Sequence, residues 1–129
     1  MPRDQWRVGH IIEVARYAVE FLEGKTVESI DESIQLKFAL YKIFEIIEEA
    51  AVNISQETKD KYPNVSWKQM IGMRNILVHN YFDIDASTVW DTVKNDLPLL
   101  IADLEQLMPL LPKDSDASTK SLFPKRGDS

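Results

Sequence analysis

The chain has no cysteine, which removes disulfides, thiolate catalysis and Cys-type zinc sites together. Six prolines and four glycines in 129 residues are few, and no turn-rich run marks the short strands of a β-sandwich. No apolar run approaches the roughly 20 residues that a membrane-spanning helix needs. Nor does an apolar signal-peptide core follow Met1-Pro2-Arg3-Asp4-Gln5, so a cytoplasmic, membrane-free protein is expected. A basic surplus is missing too: 15 Lys and Arg against 21 Asp and Glu leave a formal charge of −6. Non-specific nucleic-acid affinity comes mainly from counterion release around phosphates, which excludes a general nucleic-acid coat. Any nucleic acid handled by this chain has to meet a local cationic spot, one that two subunits could assemble.

What is present describes one globular domain. Hydrophobic residues make up 44% and charged residues 28%, and the length is enough to bury a core without staples. Val8, Ile11, Ile12, Ala15, Val19 and Leu22 share one face of a helix expected over 4–22, with Gly24 as its stop. His10 lies in this helix and carries no assigned role; a lone histidine there is usually a surface or boundary residue. A longer helix is expected over 29–54, where Leu36, Leu40, Ile43, Ile47, Ala51 and Ile54 form a stripe widened by Phe38, Tyr41, Phe44 and Ile46. A face that broad can serve both the core and a subunit contact. Glu45, Glu48 and Glu49 fall on its polar side and read as a solvated face. Residues 55–65 turn polar, and Tyr62-Pro63-Asn64 reads as a loop. Ser66 and Gln69 have the spacing of a capping box for a third helix over 67–81. Asp85 caps a fourth over 86–108, which Pro98 should kink. The expected architecture is all-α, an antiparallel up-and-down four-helix bundle over residues 1–112. A flexible C-terminal tail is expected over 113–129.

Within the third segment, Gly72-Met73-Arg74-Asn75-Ile76-Leu77-Val78-His79-Asn80-Tyr81 puts a guanidinium, an imidazole and a phenol within eight residues. Arg74 stands in phase with Trp67, Met70, Ile71, Leu77 and Val78, where the pattern asks for another apolar residue. A permanent charge there needs a partner or a job, and a salt-bridged arginine at a helix seam is the plain alternative. On a continuous helix Arg74 and His79 would sit about 140° apart, yet both could border one cleft. Asn75, four residues before His79, could orient the imidazole. These groups suit RNA phosphodiester cleavage, in which the 2′-hydroxyl attacks its own phosphate without a metal or cofactor. His79 would move the proton, since an imidazole titrates near neutrality. Arg74 would grip the phosphate and offset its developing charge. Concerted cleavage wants both an acid and a base, so two copies pairing along the second and third helices would supply two of each group. A metal set of His79, Tyr81, Asp83 and Asp85 is disfavoured, because it holds one imidazole and its alternating spacing suits a strand better than a helix end.

Arg74-(x4)-His79-x-Tyr81 resembles the motif of the HEPN superfamily, in particular its HepT-like branch. The surrounding text agrees: Glu45-Ile46-Ile47-Glu48-Glu49-Ala50, Pro63-Asn64-Val65-Ser66-Trp67, Ile84-Asp85, Val89-Trp90 and Leu97-Pro98. The likeness spans about 8–108. It implies an all-α homodimer with a shared cleft, resembling the ribonuclease toxin of a toxin–antitoxin pair that cuts RNA without a metal ion. It implies that Arg74 and His79 are catalytic. It further implies a cognate minimal nucleotidyltransferase antitoxin, which transfers AMP to Tyr81 and joins the homodimer in a higher-order complex. Added phosphate beside Arg74 would block the cleft. The family usually has glycine where this chain has Glu48, so a carboxylate stands near the seam or the cleft. The alternative is a non-catalytic substrate- or nucleotide-binding partner subunit of a nucleotidyltransferase, which could do without the imidazole.

Overall fold

The computed structural model describes residues 3–80 and 83–113; the expected tail, apart from Lys113, lies outside them. The fold is an all-α bundle with one short two-stranded ribbon. Helix α1 (Asp4–Phe21) packs along α3 (Ile34–Asn53) and α8 (Leu97–Leu107), and α3 in turn supports α5 (Trp67–Ile71) and α6 (Met73–Leu77). Val8, Ile11 and Ala15 from α1, Leu40, Phe44 and Ile47 from α3, and Leu100 and Leu104 from α8 meet in one core. An Arg16–Glu105 ion pair ties α1 to α8 at the surface. No described helix is long and apolar enough to cross a membrane.

Gly24 ends the first helical passage as expected, with a positive φ of 70° that favours glycine. His10 is buried, further inside than the boundary position expected for it. The second segment, expected as one helix, is two. Helix α2 (Val27–Glu32) stops at Ser33, whose extended backbone (φ −123°, ψ 110°) frees its hydroxyl to accept from Leu36 N–H at 3.1 Å and restart the chain as α3. A serine that caps locally competes with helix continuation, and here it wins. The polar stretch after α3 also holds a helix, α4 (Gln56–Lys61), capped by Ser55.

Ser66 makes no capping bond, contrary to its spacing. Its supposed partner Gln69 reaches away instead, donating from Nε2 to Asp96 at 2.9 Å. Trp67 is fixed by its indole N–H on the Tyr62 carbonyl at 3.0 Å. The third segment then breaks at Gly72, between α5 and α6, and leaves the helix altogether at Val78. Strand β1 (Val78–Asn80) pairs antiparallel with β2 (Asp83–Ile84), with Val78 opposite Ile84 and Asn80 opposite Asp83. Asp85 caps α7 (Ala86–Asp91) as expected, accepting from Thr88 N–H at 3.2 Å. Pro98 coincides with a departure from regular α-helix within the segment expected over 86–108. It sits in the first turn of α8, after a π-helical turn at Thr92–Asp96 in which Leu97 N–H reaches back to the Thr92 carbonyl. A wider turn accommodates the ring and its missing N–H without a break.

Candidate functional site

Arg74 is the second residue of α6, and its neighbours set its direction. Met70 and Met73 are fully buried, which seats α5 and α6 against α3. Arg74, next along, is turned outward with its side chain 51% exposed. Glu48 on α3 meets it at two points: Oε1 accepts from the Arg74 backbone N–H at 3.0 Å, and Oε2 accepts from Arg74 Nε–H at 2.8 Å. Glu48 is the more sheltered partner, its side chain 15% exposed. The hydrogen bond and charge of Glu48 push the guanidinium pKa upward against the opposing effect of burial, helped by the charge of Glu45. Arg74 is therefore a fixed cation.

Glu48 does not lie on the solvated face its helical position suggests; it stands against Arg74, in keeping with a carboxylate near the seam or the cleft. Glu45, a turn earlier, accepts from Lys42 Nζ at 2.9 Å. Among the described residues, the pairs Lys42–Glu45 and Arg74–Glu48 set each cation here against a carboxylate, and the outer edge of the Arg74 guanidinium is the part that Glu48 does not engage. Asn75 is exposed and its N–H bonds the Gly72 carbonyl.

The continuous-helix geometry linking Arg74 to His79 does not hold, because His79 lies in β1, past the end of α6. The chain re-aims at Gly72, whose φ of −93° is one that any residue adopts, and the β1–β2 pairing takes over the backbone hydrogen bonds after Leu77. The spacing argument against a metal set falls with it, since 78–80 and 83–84 are extended; the single imidazole still weighs against such a set. The His79 side chain and the whole of Tyr81 lie outside the described residues.

Beside Arg74 runs an uncovered face of α3. Ile34, Phe38, Tyr41, Glu45, Glu48 and Val52 follow one another by four or three residues and so share one side of the helix. Ile34 and Phe38 are 67% and 61% exposed, and Val52 53%, although the opposite side of the same helix is core. The broad apolar face expected of this segment is real, and its outer half is open.

Against known families, the Ribonuclease HepT-like profile matches residues 11–107, most of the chain. The chain belongs to that family. Among its relatives is "Putative RNase MJ1380" of Methanocaldococcus jannaschii, 37% identical over 95 residues that cover 74% of this chain and 87% of that one. "Probable ribonuclease HepT" of Thermococcus cleftensis is 37% identical over 94 residues, covering 70% and 86%. "Putative RNase MJ1216" of M. jannaschii is 31% identical over 98 residues, covering 76% and 81%. No solved structure matches significantly. The HepT-like matched segment contains every motif residue, from Glu48 through Arg74 and His79 to Tyr81.

Proposed function

We propose that this protein is a metal-independent RNA endonuclease, the toxin of a toxin–antitoxin pair, working as a homodimer. The observation that carries the reading is Arg74: a charged side chain in the family motif, held on α3 by Glu48 yet half open to solvent. Two copies docked through the Ile34–Phe38–Val52 face would bring two Arg74 side chains to one groove, each able to hold a phosphate oxygen. In the reaction, the ribose 2′-oxygen attacks the adjacent phosphorus while one His79 takes its proton. The bond to the 5′-oxygen breaks, and His79 of the partner subunit protonates that leaving oxygen. A 2′,3′-cyclic phosphate and a 5′-hydroxyl result, with Arg74 offsetting charge on the non-bridging oxygens. Asn75 takes no step, because His79 lies in β1 and the four-residue helical spacing between them does not hold.

In the same reading, a cognate minimal nucleotidyltransferase neutralises the toxin. The Tyr81 phenol oxygen attacks the α-phosphate of ATP, loses its proton and releases pyrophosphate, leaving AMP on the ring. The new phosphate competes for Arg74 and fills the groove. Cleavage of a labelled RNA, followed with chelator present, tests the proposal: wild type should cut, and Arg74→Ala and His79→Ala should each lose about 100-fold or more. RNA cleavage that survives His79→Ala overturns the role given to His79, and wild type that binds RNA without cutting it favours a binding subunit.

A further inference from the structure

We infer that Glu48 is a positioning residue for Arg74, holding the guanidinium so that its Nη edge faces the RNA phosphate; the inference rests on the role of Arg74 proposed above. A carboxylate that merely neutralised this arginine would take its terminal fork, where bidentate pairing is strongest. Glu48 does something else. Its two oxygens grip the backbone N–H and Nε–H of the same residue, which fixes both ends of the side-chain stem. Neither bond uses the four Nη–H donors of the fork.

The cost of such an arrangement is electrostatic. A carboxylate beside the guanidinium opposes an incoming phosphate, and Glu45 lies near enough to act on Arg74 as well. What the arrangement offers in return is order. An exposed arginine samples many rotamers, and fixing the donor in advance removes that loss from the reacting complex. The two effects fall on different kinetic quantities: order on the rate of the bound complex, charge on the affinity for RNA.

The test is a comparison of wild type, Glu48→Ala, Glu48→Gln and Arg74→Ala as full-length protein. Each is assayed for cleavage at saturating RNA and for binding of a 2′-O-methyl RNA that cannot be cut. Glu48→Ala should cleave about 10-fold or more slowly while binding the uncleavable RNA as well as wild type or better. Glu48→Gln should fall between the two. A purely structural role would instead lower the melting temperature and reduce activity in step with the folded fraction. Should Glu48→Ala lack stability for the assay, Glu48→Gln is read by the same criteria. The Arg74 Nε–H resonance in 15N spectra should exchange slowly in wild type and lose that protection in both Glu48 variants. Cleavage by Glu48→Ala at or above the wild-type rate makes the carboxylate an inhibitor and overturns the inference. An unprotected Nε–H in wild type does the same. If Arg74→Ala cuts as well as wild type, or wild type does not cut, the underlying proposal fails rather than the part given to Glu48 within it.

Discussion

Asp4, in the first turn of α1, clamps residues 51 and 54 positions further along the chain. Its Oδ1 accepts from Ser55 N–H at 2.9 Å, and its Oδ2 accepts from the hydroxyls of Ser55 at 2.6 Å and Thr58 at 2.5 Å. Burial pushes the Asp4 pKa up, but these bonds and the charge of Arg7 outweigh it and leave it below its ordinary 3.8. A carboxyl with a lowered folded-state pKa stabilises the fold above its unfolded-state value, and that contribution is lost as pH falls through the folded-state value. Asp4→Asn should therefore lower unfolding free energy at neutral pH by about 1–3 kcal/mol. It should also flatten the acid limb of stability below about pH 4. Chemical denaturation of both proteins from pH 7 down to pH 2 checks this; equal stability at pH 7 would mean that the clamp contributes nothing.

Phe38 stands towards the N-terminal end of the open α3 face, 61% exposed between Ile34 and Tyr41. If a second copy covers this face, Phe38→Asp buries a charge in the seam and separates the subunits. The expected result is a monomer by sedimentation with a far-UV spectrum like that of wild type, because the side chain contributes little to the core of its own chain. Cleavage should drop with the loss of the dimer. Persistence of a wild-type dimer in Phe38→Asp would place the subunit contact on some other face.

How much of this was legible in the sequence depends on range. The apolar stripes of α1, α3 and α8 announced the bundle, since periodicity records which side of a helix is buried. Gly24 and Asp85 announced their ends for equally local reasons. Ser33 was missed because its capping bond competes with helix by a small margin that periodicity does not register. Ser66 was over-read, because Gln69 has a tertiary partner in Asp96 that no local spacing reveals. The break at Gly72 and the strand at His79 were hidden by apolar residues that fit a helix well. Glu48 illustrates the limit best. The sequence marks it as a carboxylate near the seam or the cleft, yet only the packing of α6 on α3 brings it to Arg74.

Tyr81 carries the regulatory half of the proposal, and its modification has a direct signature. Co-production with a cognate nucleotidyltransferase should raise the intact mass of wild type by one or more AMP groups and suppress cleavage. Tyr81→Phe keeps the ring but has no oxygen to adenylylate, so it should show no added mass and stay active in the presence of the partner. An unchanged AMP adduct in Tyr81→Phe would assign the acceptor to another residue.

The demand for two imidazoles makes the dimer itself testable through mixing. Wild-type and His79→Ala chains, unfolded together in equal amounts and refolded, pair at random in a two-fold dimer, so about a quarter of the dimers carry both histidines. If one His79 removes the 2′-hydroxyl proton while the partner's His79 protonates the leaving oxygen, activity should fall to about that quarter. If each chain cuts alone, half the activity should remain. The two outcomes differ about twofold, within reach of initial-rate measurement with sedimentation confirming that mixed dimers formed. Because neither chain's Arg74 is altered, the experiment isolates proton transfer from phosphate binding: uncleavable RNA should bind the mixed population as tightly as wild type. Half-activity with intact binding would assign both proton transfers to groups within a single chain, and the shared groove would lose its chemical reason.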